Sequence, residues 1–280
     1  KSAIANWEAK NENERLEDVT LCVKEIMVVA QDTTYYGMDL YGKRCLAELL
    51  EKLCKVEGIE WIRLHYAYPT DFPQDVIEVM ARESKICKYL DIPLQHLSDN
   101  QLELMHRRHT KAEALDLIER LRKAIPDIAI RTTMLVGYPN ESAADYEELC
   151  EEVKRLRFDR LGVFPYSEEE GTYGALHFKD TVRESTKQRR YEELMELQSG
   201  ISFEANEARV GSVERVIVDS FTDGVLVCRS QSESPEVDGE ILIGNMGDFA
   251  PEQLIGKFVT ARITGANEYD LLAEIVAVEN

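Results

Sequence analysis

Residues 110–136 read TKAEALDLIERLRKAIPDIAIRTTMLV, and this stretch decides the fold class. Thr110 and Glu113 have the spacing of a capping box, which predicts a helix from residue 110 to Lys123. Residues 128–136 are mostly apolar or β-branched and predict a buried strand. A helix of this length followed directly by a buried strand is typical of an α/β protein.

The same alternation extends through the first 165 residues. Apolar runs predict strands at 26–30, 61–64, 89–92, 128–136 and 161–164. Helical patterns lie at 41–56, 75–81, 98–107 and 110–123, from residue 142 onward, and at 182–210. Strands that alternate with helices imply a parallel sheet, curled into a partial barrel or open and doubly wound. In both folds the chemistry lies at the carboxyl ends of the strands, here at Gln31-Asp32, His65-Tyr66, Gln95-His96, Gly137 and Tyr166-Ser167.

The pattern changes after about residue 211. Five short strands are predicted at 213–219, 225–229, 241–243, 258–263 and 272–278, separated by turns rich in glycine, asparagine and aspartate. This pattern predicts a small antiparallel barrel. We therefore divide the chain into an α/β domain at 1–210 and a β domain at 211–280.

Charge and composition restrict the functional class. The 280 residues include 33 basic and 53 acidic ones, a net charge of −20. This charge argues against direct binding of nucleic acid and suits a basic partner, although acidity often serves only solubility. Apolar runs are too short for a membrane helix, and residues 1–10 have no signal-peptide core, so we expect a cytoplasmic protein without membrane contact.

Cysteines do not form a local metal-binding motif. They lie at positions 22, 45, 54, 87, 150 and 228, and no two are separated by only two or three residues. Neither a zinc site nor an iron–sulfur loop is expected from this spacing. Reduced and mostly buried thiols are the expected state.

Several polar residues have both a structural and a functional interpretation. Asp32, with Gln31, either meets a ligand after the first strand or caps the next turn. Arg131 lies inside a predicted strand and needs an anion, which is either a structural carboxylate or a ligand carboxylate. Gly137 begins a loop that ends at Glu141. This loop forms a turn and helix N-terminus, or lets a ligand ring approach the backbone.

Two further segments are expected to be surface features. His106 and His109 flank two arginines, and an exposed helix end is expected there rather than a metal site. The loop 167–172 is strongly acidic and is expected to be solvated.

Five motifs, taken in order, resemble one enzyme family. They are AQDTTYYG (30–37), WIRLHYAYP (61–69), DIPLQHLSD (91–99), RTTMLVGYP (131–139) and FPYSEEEGT (164–172). The series resembles the radical S-adenosylmethionine methylthiotransferases, most closely the branch that modifies an aspartate of a small-subunit ribosomal protein. The resemblance covers about residue 20 to the end of the chain and includes a C-terminal TRAM domain.

The resemblance implies a partial (β/α) barrel that holds S-adenosylmethionine and a 4Fe-4S cluster. Cleavage of S-adenosylmethionine would give a deoxyadenosyl radical that abstracts hydrogen from the substrate. The cofactor carries this chemistry and the protein orients it. By motif position, the resemblance places Gln31 and Asp32 at the methionyl amino group and Arg131 at the methionyl carboxylate. It places Gln95 and Ser98 at the ribose, and the loop from Gly137 to Glu141 at the adenine.

Two departures from the family concern the cluster and the N-terminal region. The family binds its cluster through a C-x3-C-x2-C triplet ahead of the segment that begins here at Lys24, and the sequence has no such triplet. The family's N-terminal domain, which carries a second cluster, is not matched either. We expect an incomplete form of the enzyme without its cluster, and we assign neither a metal ligand nor a catalytic residue. Asn140, where the family usually has glycine, tolerates left-handed backbone geometry.

Charge also bears on the substrate. Residues 206–280 contain 14 acidic and five basic side chains, so the difference is 5 − 14 = −9. An anionic surface repels RNA and attracts a basic ribosomal protein, which favours the protein-modifying branch over the tRNA-modifying one. Two other functions stay open: a non-catalytic binding scaffold, and a lyase or isomerase that uses Asp32 or His96 as acid–base groups.

Overall fold

The computed structural model describes residues 23–247 and 249–279. The expectations about a signal peptide, Cys22 and the segment ahead of Lys24 lie outside the described residues.

The first part of the chain alternates strands with helices, as predicted. Its strands are β1 (Glu25–Val28), β2 (Trp61–Leu64), β3 (Ile86–Asp91), β4 (Ala129–Val136) and β5 (Arg160–Pro165). Its helices are α1 (Met38–Tyr41), α2 (Leu46–Cys54), α3 (Gln74–Arg82), α4 (Asp99–Leu104), α5 (Lys111–Ala124), α6 (Ala143–Leu156), α7 (Tyr173–His177) and α8 (Glu184–Glu207). Each neighbouring strand pair is parallel.

Strand order distinguishes the two predicted architectures. The sheet runs β1-β2-β3-β4-β5, the same order as the chain. A doubly wound sheet reverses its order at a switch point, whereas right-handed crossovers that always advance in one direction put the helices on one face. The fold is therefore the partial (β/α) barrel, and the doubly wound alternative is wrong.

Capping boxes begin two of the barrel helices. The Thr110 hydroxyl accepts from the Glu113 backbone N–H, and the Glu113 carboxylate accepts from the Thr110 N–H, as predicted. Ser142 and Asp145 form the same box ahead of α6. Each capping residue contributes about 1 kcal/mol to helix stability.

The helix predicted over 41–56 is wrong at its start. Gly42, with φ of 67°, ends the short helix α1 in the left-handed region, and α2 begins only at Leu46. The left-handed residue interrupts the backbone hydrogen bonds, so the pattern that suggested one helix contains two.

The main core lies between the sheet and its helices. Ile62, Leu90 and Ile130 from the strands are almost fully buried and pack with Leu117 of α5 and Leu149 of α6. Burial of each such side chain contributes about 1.5–3 kcal/mol. No described helix is both long and apolar enough to cross a membrane.

The second part of the chain forms a closed five-stranded barrel. Its strands are β6 (Val213–Thr222), β7 (Val225–Arg229), β8 (Ile241–Ile243), β9 (Phe258–Ala266) and β10 (Leu271–Val278), in the order β10-β8-β7-β6-β9. The antiparallel expectation is wrong for one pair, because β8 and β10 run parallel. A closed ring with an odd number of strands cannot alternate direction at every pair, so five strands require a parallel one.

The two barrels share an apolar contact. Trp61 of β2 and Phe258 of β9 pack edge to face, with 4.7 Å between ring centroids, beside buried Tyr89 and Ile217. This contact fixes the small barrel against the amino-terminal side of the sheet. The domain boundary at residue 211 stays a prediction.

Candidate active site

The concave face of the partial barrel carries polar side chains. Strand register places Met27 beside Arg63, and Asp91 beside Arg131. Because side chains alternate along a strand, these four lie on the face opposite the helices. Arg63 also lies over the Tyr89 ring, 4.8 Å from its centroid. This face therefore holds charges that need partners.

Residues 230–238, between β7 and β8, supply partners for these charges, and we call them the seam segment. Glu233 of this segment lies 2.9 Å from the Arg160 guanidinium and 2.6 Å from that of Arg209. Burial alone would raise the pKa of Glu233, but the two arginines outweigh it and lower the pKa to about 2. The seam segment is thus held between the two domains by buried ion pairs.

Arg131 is bound by two carboxylates. Its Nη1 lies 3.4 Å from Asp91 Oδ1, and its Nε lies 3.3 Å from Asp238 Oδ1 of the seam segment. The Tyr89 hydroxyl donates to the other Asp238 oxygen at 2.7 Å. The structural ion pair that the sequence left open is present. A contact between Arg131 and the methionyl carboxylate stays a prediction.

Gln31 and Asp32 follow β1 at the carboxyl edge of the sheet. Asp32 Oδ1 accepts from the Thr34 backbone N–H at 3.0 Å and from the Thr34 hydroxyl at 2.7 Å, which caps the 3-10 helix Thr33–Tyr35. The turn-capping interpretation of Asp32 therefore holds. Gln31 is exposed, and its side-chain amide has no hydrogen-bond partner among the described residues.

Backbone strain marks two of the strand ends. Tyr66 after β2 has φ of 53°, and Gln95 after β3 has φ of 72°. Gln95 keeps this conformation because its backbone N–H donates to Thr133 O and its carbonyl accepts from Leu135 N, both at 2.8 Å. Left-handed geometry at such residues costs about 1–3 kcal/mol and concentrates at ligand sites.

Ser98 and His96 are engaged in buried hydrogen bonds. The Ser98 hydroxyl donates to Asp145 Oδ1 at 2.6 Å, and the Ser98 backbone N–H donates to His96 Nδ1 at 3.0 Å. His96 Nε2 then donates to Glu141 Oε1, 3.1 Å away. The His96 ring is fully buried and both of its nitrogens are engaged within the protein, which argues against His96 in the lyase or isomerase alternative.

The loop from Gly137 to Glu141 is closely packed. The Glu141 carboxylate accepts from the Gly137 N–H and forms a buried ion pair with Arg190 of α8. Gly137 has φ of 77°, and a Cβ there would lie 2.4 Å from Lys187 Cγ. This glycine therefore gives room to Lys187, and an adenine contact stays a prediction. Asn140 is left-handed, with φ of 66°, as its side chain allows.

The two rim histidines differ in environment. His106 is exposed and stacks on Tyr173, with 3.6 Å between ring centroids. The expectation of exposure is wrong for His109, which is 3 % exposed because the turn after α4 packs its ring edge-on against Tyr68. Burial lowers the pKa of His109 to about 4. Neither ring belongs to a group of potential metal ligands in the described ranges.

The sequence reasoning missed Arg63 and Asp238. Arg63 is fully buried and donates to Glu25 at 2.8 Å and to the Gln231 carbonyl at 2.7 Å. The argument that singled out Arg131, a long cation inside a buried strand, applies equally to Arg63 and would have found it. Asp238 had no comparable signal, because its partners come from a different domain.

Two family models match the chain. The radical SAM superfamily model matches residues 8–153, just over half of the 280 residues. The chain belongs to the radical SAM superfamily. A TRAM domain model matches residues 210–276 of this radical SAM chain, which includes most of the closed barrel.

Similar curated proteins share one name. The chain is 48% identical over 254 residues to ribosomal protein uS12 methylthiotransferase RimO of Bacteroides fragilis, covering 91% of this chain and 58% of that protein. It is 52% identical over 252 residues to the protein of that name from Flavobacterium johnsoniae, covering 90% of this chain and 57% of that protein. The radical SAM chain thus spans somewhat over half the length of these relatives.

A solved structure shows the same fold. Coproporphyrinogen III oxidase (HemN) from Escherichia coli, a radical SAM enzyme, superposes with a TM-score of 0.51 at 16% identity. The match covers 64% of this chain and 41% of that one. At this identity the likeness supports the barrel architecture alone.

Superfamily membership implies S-adenosylmethionine and a 4Fe-4S cluster. The described residues do not fit the cluster, since none of them form a group of three or more His, Cys, Asp or Glu placed to hold a metal. They fit a nucleoside cofactor better. The open part of the concave face exposes Met27, Tyr66 and Phe164, and the nearby Tyr166 hydroxyl is buried without a partner in the described structure.

Proposed function

We propose that this chain carries the S-adenosylmethionine barrel and the docking domain of a methylthiotransferase that acts on an aspartate of ribosomal protein uS12. The observation that carries the proposal is sequence identity of 46–52% to proteins of that name over about nine tenths of this chain. Agreement over that length extends across both domains, so it does not reflect the barrel alone.

Two side-chain amides are suited to contact S-adenosylmethionine directly. Gln31, which is exposed, follows β1, and Gln95, which is partly buried, follows β3. Neither side chain has a hydrogen-bond partner in the described residues. Met27 and Phe164 offer apolar surface for the nucleoside on the same face. When bound, S-adenosylmethionine supplies the hydrogen abstraction that the family resemblance implies.

Other predicted cofactor residues act through the backbone in this proposal. Asp32 holds the turn beside Gln31, and Ser98 fixes the segment that follows Gln95. Glu141 fixes the loop that begins at Gly137, through its bond to that residue's N–H. They are positioning residues for the cofactor, and Arg131 stays the candidate for the methionyl carboxylate only if it releases one of its two carboxylate partners.

The surface of the small barrel supports a basic protein substrate. Four of the five cations in residues 206–280 form ion pairs with acidic residues, and these four are Arg209, Arg215, Arg229 and Arg262. Exposed acidic residues without an ion pair in the described structure are Glu207, Asp223, Glu236, Glu240, Glu252 and Glu268. Pairing therefore leaves a surface that is almost entirely anionic, which favours a basic ribosomal protein over RNA.

Asp238 does not belong to this surface, although it lies in the same acidic stretch. Its side chain is 2% exposed and bonded to Arg131 and Tyr89. A test of surface charge must therefore use Glu236 and Glu240, which are exposed.

Binding of purified uS12 across a salt series tests the proposal. We expect Glu236→Lys with Glu240→Lys to weaken binding about tenfold at low salt, and the difference to shrink as salt screens the charges. Glu147→Lys with Glu151→Lys, on the exposed side of α6, changes the net charge equally and serves as the control. Equal binding by both double variants at every salt concentration, or tighter binding of tRNA than of uS12, would contradict the proposal.

A second candidate function is a binding scaffold without radical chemistry. The exposed carboxylates of the small barrel would serve docking of a basic partner with or without a cluster. Iron analysis after anaerobic reconstitution separates the two functions. About four irons per chain, with cleavage of S-adenosylmethionine, supports the enzyme. Intact uS12 binding without iron supports the scaffold.

A further inference from the structure

The turn between α4 and α5, residues 105–110, lies at the mouth of the barrel, and we call it the rim turn. Arg107 of this turn lies over the Tyr68 ring in the loop after β2, 5.6 Å from its centroid. His106 stacks on Tyr173, which follows β5. Loops that follow β2 and β5 both come from carboxyl ends of strands, so the rim turn borders the side of the barrel where the ligand is expected.

Arg107 is a cation that has no carboxylate partner among the described residues. Among the arginines of the described structure that are buried or partly buried, all but three have a carboxylate oxygen within 4.0 Å, and the three are Arg44, Arg107 and Arg122. Arg44 donates to the Asp71 carbonyl, and Arg122 donates to the Arg157 carbonyl.

Arg107 has a weaker partner than either of those two. The only hydrogen bond of its side chain in the described structure is a 3.4 Å contact from Nη1 to the Tyr68 hydroxyl. The protein has 53 acidic residues and 33 basic ones. In so acidic a protein, a partly buried guanidinium without an acidic partner in the described residues is unusual. Most of its N–H donors remain available to a ligand.

His109 packs against the same Tyr68 ring. Its own ring lies edge-on to that of Tyr68, with 6.0 Å between centroids, and is 3 % exposed. Burial and the Arg107 charge lower the pKa of His109, whereas a hydrogen bond to the Leu94 backbone acts in the opposite direction. The tyrosine that Arg107 contacts is therefore held by a buried neighbour.

We infer that Arg107, held by Tyr68, binds a carboxylate at the mouth of the barrel. A guanidinium offers two parallel N–H donors that match the two oxygens of a carboxylate, and the stacked tyrosine keeps its plane fixed. The inference rests on the proposed function, which supplies two such groups. One is the methionyl carboxylate of S-adenosylmethionine, and the other is the aspartate of the substrate protein.

Arg131 is less suited to this role. It already contacts Asp91 and Asp238, so a third carboxylate would have to displace one of them. Within the described ranges Arg107 has no competing carboxylate, so a ligand carboxylate there would neutralise its charge without breaking an ion pair that the structure shows.

Titration calorimetry with the whole chain tests the inference. Arg107→Met keeps an apolar side chain over Tyr68 but removes both the charge and the paired N–H donors. Arg107→Lys keeps the charge but not the paired donors. Arg108→Met is the matched control, because Arg108 is an exposed neighbour of equal charge without an ion pair in the described residues. The ligands are S-adenosylmethionine, uS12, and uS12 with its target aspartate replaced by asparagine.

We expect Arg107→Met to lower the affinity for one of the ligands at least tenfold, and Arg107→Lys to lower the affinity for that ligand less. The affinities of Arg108→Met should stay within twofold of wild type. If the affinity for S-adenosylmethionine falls, the carboxylate that Arg107 binds is the methionyl one. If the affinity for uS12 falls, and the variant no longer distinguishes uS12 with aspartate from uS12 with asparagine, the bound carboxylate is that of the substrate. If the wild type binds both ligands and Arg107→Met binds them equally well, the inference fails while the proposed function stands. If the wild type binds neither, both fail.

Discussion

Asp238 of the small barrel and Arg131 of the large one form an ion pair across the two domains, with 3.3 Å between Asp238 Oδ1 and Arg131 Nε. The Tyr89 hydroxyl and the Ser234 backbone N–H both donate to the other oxygen of Asp238. The small barrel therefore supplies part of the polar interior of the large one. Docking of the second domain and the arrangement of the concave face depend on each other.

Asp238→Ala tests this dependence. The change leaves the Tyr89 hydroxyl and part of the Arg131 charge buried without a partner, and we expect the free energy of unfolding in urea to fall by about 3 kcal/mol. Glu236→Ala, two residues earlier and exposed, is the control and should change stability by less than about 0.5 kcal/mol. A similar small change for both variants would show that the ion pair across the seam contributes little.

The pH dependence of stability tests the buried charge of Glu233. Arg209 and Arg160 lower the pKa of Glu233 from its ordinary value of 4.5 to about 2 in the folded protein. A lowering of this size corresponds to about 3 kcal/mol of stability at neutral pH. Because the folded pKa lies below the unfolded one, this stability is complete above about pH 5 and is lost as the pH falls toward about 2.

Glu233→Gln removes the titrating group. We expect the variant to be less stable than wild type at pH 7, and the gap between them to narrow steadily in urea unfolding experiments at pH 5, 4 and 3. A gap of constant size over this range would mean that Glu233 has an ordinary pKa in the folded protein.

Local sequence signals predicted most of the barrel. The capping box at Thr110 and Glu113 and the apolar run of β4 each act within one turn or one strand, so they are readable without knowledge of the fold. Strand order was not readable in this way. Both candidate architectures use the same alternation, and only the pairing of distant strands separates them.

The candidate site was predictable in part. Positions at the strand ends, such as Gln31 and Gln95, follow from the alternation and lie at the carboxyl edge as expected. The partners of Arg131 were not predictable, since Asp238 lies 107 residues away in another domain. Burial of His109 was missed for a similar reason, because Tyr68 covers it from a loop far away in the sequence.

Two glycine substitutions are expected to have opposite effects on stability. Gly137→Ala introduces a side chain at φ of 77°, and its Cβ would lie 2.4 Å from Lys187 Cγ, in a lysine that Asp180 and Glu184 hold in place. We expect this variant to lose about 1–3 kcal/mol. Gly200→Ala lies on the exposed side of α8 with no atom within 4 Å of the new Cβ.

Gly200→Ala lowers the conformational entropy of the unfolded chain and introduces no clash in the folded one. We therefore expect it to stabilise the protein by about 0.5–1 kcal/mol. Thermal and urea unfolding of the two variants beside wild type measure both effects. Loss of stability in both variants would contradict the helical assignment around Gly200. Unchanged stability in Gly137→Ala would show that Lys187 can move aside and that the loop from Gly137 to Glu141 has room for a ligand ring.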